Sequence, residues 1–203
     1  MKVAILSPYP TALMAALRAN DDQVFALNDR IDVSMLRRIG IDWIISYGYR
    51  HLIREPVLTD WCGRLVNLHV SLLPYNRGAD PNFWSWFDGT PKGVTIHQID
   101  SGLDTGAILA QCEVAFAETD TLMTSYWKLR AELERLFEAS WTAIRDGRLK
   151  AVHQVGGGTY HRQADKAAIF SELPHGFDTP VRDVEALGVE SRRRGAAAGP
   201  AGP

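Results

Sequence analysis

Lys2-Val3-Ala4-Ile5-Leu6, a break at Ser7-Pro8-Tyr9-Pro10, and then Gln23-Val24-Phe25-Ala26-Leu27 form the stretch on which the fold turns. Two short runs rich in Val, Ile and Leu bracket a segment in which Leu13, Ala16 and Leu17 recur at helical spacing. The rhythm then repeats. Val33, Leu36 and Ile39 share a helical face ahead of a third run at Ile41 to Ser46, and a fourth run follows at Arg64 to His69. Parallel neighbours need a long crossover, and a helix that buries one apolar face on the sheet is the usual one. The first half therefore reads as an α/β, mostly parallel, doubly wound sheet. Two more strands are expected at Gly93 to Gln98 and Ala107 to Val114, separated by the turn-rich loop Asp100-Ser101-Gly102-Leu103-Asp104-Thr105-Gly106.

Further along, Asp120 to about Arg145 carries Leu122, Tyr126, Leu129, Leu133, Leu136, Trp141 and Ile144 at helical steps, with charged residues between them, and Gly147 is placed to stop that helix. The expected organisation is a main domain over 1–150, a short C-terminal extension over 151–187 packed on it, and a tail over 188–203. The tail ends in Arg192-Arg193-Arg194-Gly195-Ala196-Ala197-Ala198-Gly199-Pro200-Ala201-Gly202-Pro203, too poor in apolar side chains to offset the entropy of ordering, and is expected to be disordered.

A chain of 203 residues with 46% hydrophobic and 23% charged residues and a net charge of -2 has the composition of a globular domain, without the basic excess that would draw it to nucleic acid or anionic lipid. Cys62 and Cys112 are too few for a disulfide framework or a zinc set, and no apolar run approaches the roughly 20 residues that cross a bilayer. A cytoplasmic protein with no nucleic-acid or membrane partner is expected. The histidines lack metal-ligand spacing, Gly156-Gly157-Gly158 lacks the Gly-Lys-Ser/Thr ending of a phosphate loop, and no Gly-x-Ser-x-Gly elbow occurs.

The densest group of polar and special residues is Asn67-Leu68-His69-Val70-Ser71-Leu72-Leu73-Pro74-Tyr75-Asn76-Arg77-Gly78, at the carboxyl end of an expected strand, where open α/β sheets bind ligands. Residues two apart on a strand face the same side, so Asn67 and His69 project together. By themselves such pairs also serve as strand-end hydrogen-bonding groups. Asp104 by itself is equally well an Asx-turn residue, and Trp84, Trp86 and Phe87 read as core.

Taken in order, Asn67-Leu-His-Val-Ser-Leu-Leu-Pro, Arg77-Gly78, Gly93-Val-Thr-Ile-His97 and Leu103-Asp-Thr-Gly106 resemble the folate-dependent formyltransferase family. The resemblance covers about Met1 to Leu187. Asp80-Pro81, Thr90 to His97 and Gly157 to His161 make it nearest to the formylation domain of linear gramicidin synthetase and to nucleotide-sugar N-formyltransferases. One departure is Val70, where the family commonly has Pro.

The resemblance implies a Rossmann-like sheet of the formyltransferase type. It implies Asn67, His69 and Asp104 as the catalytic trio, and N10-formyltetrahydrofolate as co-substrate without a metal. The pterin is expected against Tyr49, His51, Leu52 and Ile53 on one side and Ile99, Asp100, Gly102 and Leu103 on the other, with Gly48 and Gly102 allowing close backbone approach. His97 reads as a structural histidine beside the site. Such a centre transfers formyl to an amine: Asn67 donates to the developing oxyanion, His69 assists or moves the proton, and Asp104 orients the imidazole or takes the proton through water.

The expected acceptor is a primary amine of a small molecule or a carrier-tethered aminoacyl group in specialised metabolism, with Trp84, Tyr160 and His161 bordering it. The alternatives are a nucleotide-linked amino sugar, hydrolysis of formyltetrahydrofolate, for which a further amino-terminal domain would be usual, and a non-catalytic folate-binding module. Too little chain follows the long helix for the tRNA-binding domain of methionyl-tRNA formyltransferase.

Overall fold

The computed structural model describes residues 1–197. Strands β1 (Lys2–Leu6), β2 (Gln23–Leu27), β3 (Trp43–Tyr47), β4 (Leu65–His69), β6 (Gly93–Gln98) and β7 (Ile108–Glu113) form one sheet in the order β2-β1-β3-β4-β6-β7. The first four are parallel, β6 runs antiparallel to β4, and β7 runs antiparallel to β6 and so in the direction of the first four. Helices α1 (Thr11–Arg18), α2 (Val33–Ile39) and the single turn α3 (Val57–Asp60) make the crossovers. β3 begins later than the apolar run that announced it. Gly40, at φ +74°, closes α2, and the Ile41 N–H bonds back to the Leu36 carbonyl at 3.1 Å, so Ile41 belongs to the helix stop.

Two apolar layers flank the sheet. On one side α1 and the long α5 (Leu122–Arg145) bury Leu13, Leu17, Leu129, Leu133, Phe137 and Trp141 against β1, β3, β4 and β6. On the other, Leu36, Val57 and Trp61 cover Ala4, Leu6, Ile44 and Leu65. Tyr126 and Leu136, expected on the inner face of α5, are only half-buried, and Ser125 and Phe137 are buried there instead.

Beyond this the chain adds α4 (Pro81–Phe87), α6 (Gln163–Phe170) and α7 (Val181–Ala197), and pairs two very short strands, β5 (Arg77–Gly78) and β8 (Tyr160–His161), in parallel. The expectation of a disordered tail from 188 is corrected through residue 197. That segment continues α7, whose Val181 and Val184 are buried with Phe83, Trp84 and Phe87 of α4. Composition missed this because α7 needs only a few apolar contacts to be held on α4. Residues 198–203 of the expected tail lie outside the described residues. Among the described residues no helix is long and apolar enough to cross a membrane, and both cysteines are free.

Candidate active site

β4 ends where the parallel half of the sheet meets the antiparallel half, and its last residues set the site. Asn67 lies opposite His97 in the β4–β6 register, and the Asp100–Gly106 loop that joins β6 to β7 returns Asp104 to the same point. Asp104 sits at φ +53°, a left-handed conformation that Asp tolerates better than most residues. Its Oδ2 accepts the Gly78 N–H at 2.8 Å. Gly78 is itself at φ +88°, and a Cβ there would run into the His161 carbonyl, so close pairing of β5 with β8 is what brings that N–H to Asp104.

His69 is buried, and its Nε2 lies 3.0 Å from the Asn76 carbonyl oxygen. A carbonyl only accepts, so Nε2 carries the hydrogen and the Nδ1 lone pair faces Asp104 Oδ2, 3.7 Å away. That gap is too wide for a direct hydrogen bond. Burial, helped by His97, pushes the His69 pKa down, against Asp104 and the Asn76 carbonyl, and the net direction is down. For Asp104, burial pushes up, but His69, His97 and the Gly78 N–H prevail and hold the carboxyl below its ordinary range. At neutral pH the site therefore pairs a neutral imidazole with a carboxylate.

Asn67 Nδ2 is 3.2 Å from both Asp104 Oδ1 and His97 Nε2. His97 Nδ1 donates to the Gln98 carbonyl at 2.7 Å, so its Nε2 accepts from Asn67. Both amide hydrogens of Asn67 are thus committed in this state, which the expected oxyanion role did not foresee.

Two cavities meet at this centre. One, of about 630 Å³, brings together all of Tyr49, His51, Leu52, Ile53, Ile99, Asp100, Gly102 and Leu103 with Asn67 and Asp104. The other, of about 490 Å³, is bounded by Tyr9, Tyr47, Asn67, His69, Asp80 and Tyr126. Some expectations change in detail. Gly48 borders the second cavity, and the group that needs its missing Cβ is the Tyr9 hydroxyl; Gly102 likewise faces Thr105. Tyr160 and His161, expected to border the acceptor, line the first cavity with the expected folate residues and not the second, and Trp84 is buried, stacked on His161 at 3.7 Å between centroids.

Sequence reasoning missed Gln154, whose Nε2 donates to the carbonyls of Asp104 (2.8 Å) and Gly106 (2.9 Å) while its Oε1 accepts twice from Arg77, at 3.0 and 2.7 Å.

The family model described as formyl transferase matches residues 10–139. The chain belongs to the formyl transferase family. It is similar to the crystallised formyltransferase PseJ from Anoxybacillus kamchatkensis, solved in complex with UDP-4,6-dideoxy-4-formamido-L-AltNAc and tetrahydrofolate. The identity is 42%, the match covers 93% of this chain and 100% of that one, and the TM-score is 0.88. A sugar N-formyltransferase from a Shewanella species (19% identity, 93% and 87% covered, TM-score 0.75) and a 4-N formyltransferase from Francisella tularensis (21%, 92% and 85%, 0.74) share the fold. As a formyltransferase, the chain is an enzyme built on the mostly parallel α/β sheet that its sequence announced. Among the described residues no cluster of His, Cys, Asp and Glu is arranged to hold a metal ion.

Proposed function

We propose that this formyltransferase moves the formyl group of N10-formyltetrahydrofolate onto the amino group of a nucleotide-linked amino sugar. The similarity that carries the reading is the one to PseJ, which covers that whole chain at 42% identity and was solved with a UDP-linked formamido sugar. It favours the sugar alternative over the carrier-tethered aminoacyl group first expected.

Two features of the first cavity support a folate there. Leu52 and Leu103 stand 61% and 45% exposed at its walls, apolar side chains that a flat heterocycle would cover, and the Asp100 carboxylate offers an acceptor beside them. Bound there, the co-substrate supplies an electrophilic formyl carbon. Asn67 then gives up one of its two present acceptors to donate to the formyl oxygen as charge develops on it. His69 Nδ1, whose lone pair faces Asp104, takes the proton from the incoming amine as the new C–N bond forms and returns it to the folate N10 as the formyl C–N10 bond breaks, and the Asp104 carboxylate stabilises the imidazolium in between.

A mass-spectrometric screen tests the function. Protein incubated with N10-formyltetrahydrofolate should add one formyl mass to a UDP- or dTDP-linked amino sugar, and Asn67→Ala should lower kcat by about 10²–10³. Formyl gain on aminoacyl carrier proteins alone, or formate release without any acceptor, would refute the sugar reading.

A further inference from the structure

Two acceptors compete for the one hydrogen of a neutral His69. Its Nε2 faces the Asn76 carbonyl at 3.0 Å, and its Nδ1 faces the Asp104 carboxylate at 3.7 Å. The carboxylate, being charged, is intrinsically the stronger acceptor. If it held the hydrogen, Nδ1 would be blocked, Nε2 would set its lone pair against that of a carbonyl, and no base would face the incoming amine. The carbonyl wins because it is held closer, so whatever holds Asn76 bears on the reaction.

Asn76 lies behind His69 rather than in either cavity of the site. It is fully buried, at φ +55°, a left-handed conformation that Asn tolerates. Its side chain is bonded at both ends. Oδ1 accepts from the Thr90 hydroxyl at 2.6 Å, and Nδ2 donates to Asp88 Oδ2 and to Thr159 Oγ1, both at 3.3 Å. The backbone N–H donates to Thr159 Oγ1 as well, at 2.8 Å. These partners are anchored in turn. Asp88, which caps the end of α4, also accepts from His161 Nε2 at 2.7 Å, and the His161 ring is stacked on Trp84. Thr159 comes within reach because Gly158 has no side chain, since a Cβ there would run into the Pro74 carbonyl.

We propose that Asn76 is a positioning residue for formyl transfer, whose buried side chain clamps its own carbonyl against His69 and so fixes the imidazole in the form that carries its hydrogen on Nε2. The kinetic consequence rests on His69 Nδ1 as the acceptor of the amine proton; the tautomer itself does not. Thr90, Asp88 and Thr159 act through Asn76, and Asn76 acts through His69. A fully satisfied buried amide suits this task, because it has no spare donor or acceptor with which to settle into a second arrangement.

The test uses Asn76→Gly, which keeps the left-handed backbone and removes the side chain, and Thr90→Val, which removes one hydrogen bond at nearly constant volume, each with a thermal melt to show folding. Long-range 15N–1H correlation spectra of the full chain read the His69 tautomer without any substrate. Wild type should show hydrogen on Nε2, and both variants a shift of the signals towards the Nδ1–H form, larger in Asn76→Gly. With N10-formyltetrahydrofolate and a UDP-linked amino sugar, kcat should fall about 10–100-fold in Asn76→Gly. In Thr90→Val it should fall about 3–10-fold, and KM for the formyl donor should change less than about threefold in both. Should Asn76→Gly not fold, Thr90→Val carries the test alone. Folded variants with lower kcat but the wild-type tautomer would reduce Asn76 to a structural residue and overturn the proposal. A shifted tautomer with full activity would uphold the clamp and remove His69 from the role of base.

Discussion

Three neighbours decide what His69 can do, and they do not act in one direction. Burial and His97 disfavour the imidazolium, Asp104 and the Asn76 carbonyl favour it, and burial prevails, so the folded pKa lies below the ordinary value of about 6.5. A reaction that needs an empty Nδ1 keeps its rate down to that lowered pKa and loses it as the pH falls through it. Asp104→Asn removes the charge that holds the value up, so the acid limb of the kcat profile should move to still lower pH, while the plateau drops by about 10²–10⁴ because the imidazolium is no longer stabilised. A profile from about pH 4.5 to about pH 8 reads both effects. A limb that stays in place or moves upward would remove His69 from the role of proton acceptor. Asn67, His69 and Asp104 were legible in the sequence through their order and their Ser-Leu-Leu-Pro and Asp-Thr-Gly surroundings. The Asn76 carbonyl and the Gly78 N–H were not, because every residue has those groups and only the chain path selects the two that face the site.

Elements with a strong period were equally legible. β1, β2 and β6 span the residues their Val, Ile and Leu content announced, and α5 lies within its expected range. β5 and β8 are too short for any period to show, yet their pairing brings Arg77 and Gly78 to the site. Gln154 completes that joint. Its donors are spent on the carbonyls of Asp104 and Gly106 and its acceptor on Arg77, so one side chain ties the loop carrying Asp104 to β5. Gln154→Ala leaves these partners unpaired and frees a left-handed residue to relax. The expected result is a kcat lower by about 10–100-fold, a smaller change in the KM for formyl donor, and faster amide exchange across 104–106. Gln154→Glu, which keeps the Arg77 pairing but loses both donors, should do no better than Ala on kcat. Full activity in either variant would show that the loop holds Asp104 without this clamp.

At the scale of the whole molecule, the second half wraps the site from outside. α4 starts at Pro81, directly after the Asp80 that borders the cavity lined by His69, and buries Phe83, Trp84 and Phe87 beneath α7. The sequence suggested little of α7. Val181 and Val184 are followed by charged residues and a glycine-alanine run whose composition resembles a linker, and only the position of Gly188 shows why the helix can come so close. A Cβ at Gly188 would run into the Phe87 carbonyl, the same carbonyl that accepts from Arg192 at 2.5 Å. Closing α7 onto the end of α4 thus needs a residue with no side chain at 188 and a long cation one turn later. Gly188→Val should force the helices apart and cost about 1–3 kcal/mol, the range typical of overpacking. It should be read as a lower denaturation midpoint with an unchanged slope. Because α4 is the element displaced, the acceptor side should suffer more than the folate side: KM for the amino sugar should rise before KM for the formyl donor does. An unchanged midpoint in Gly188→Val would mean that α7 does not brace α4 in solution, and the extension would then have no part in shaping the acceptor side.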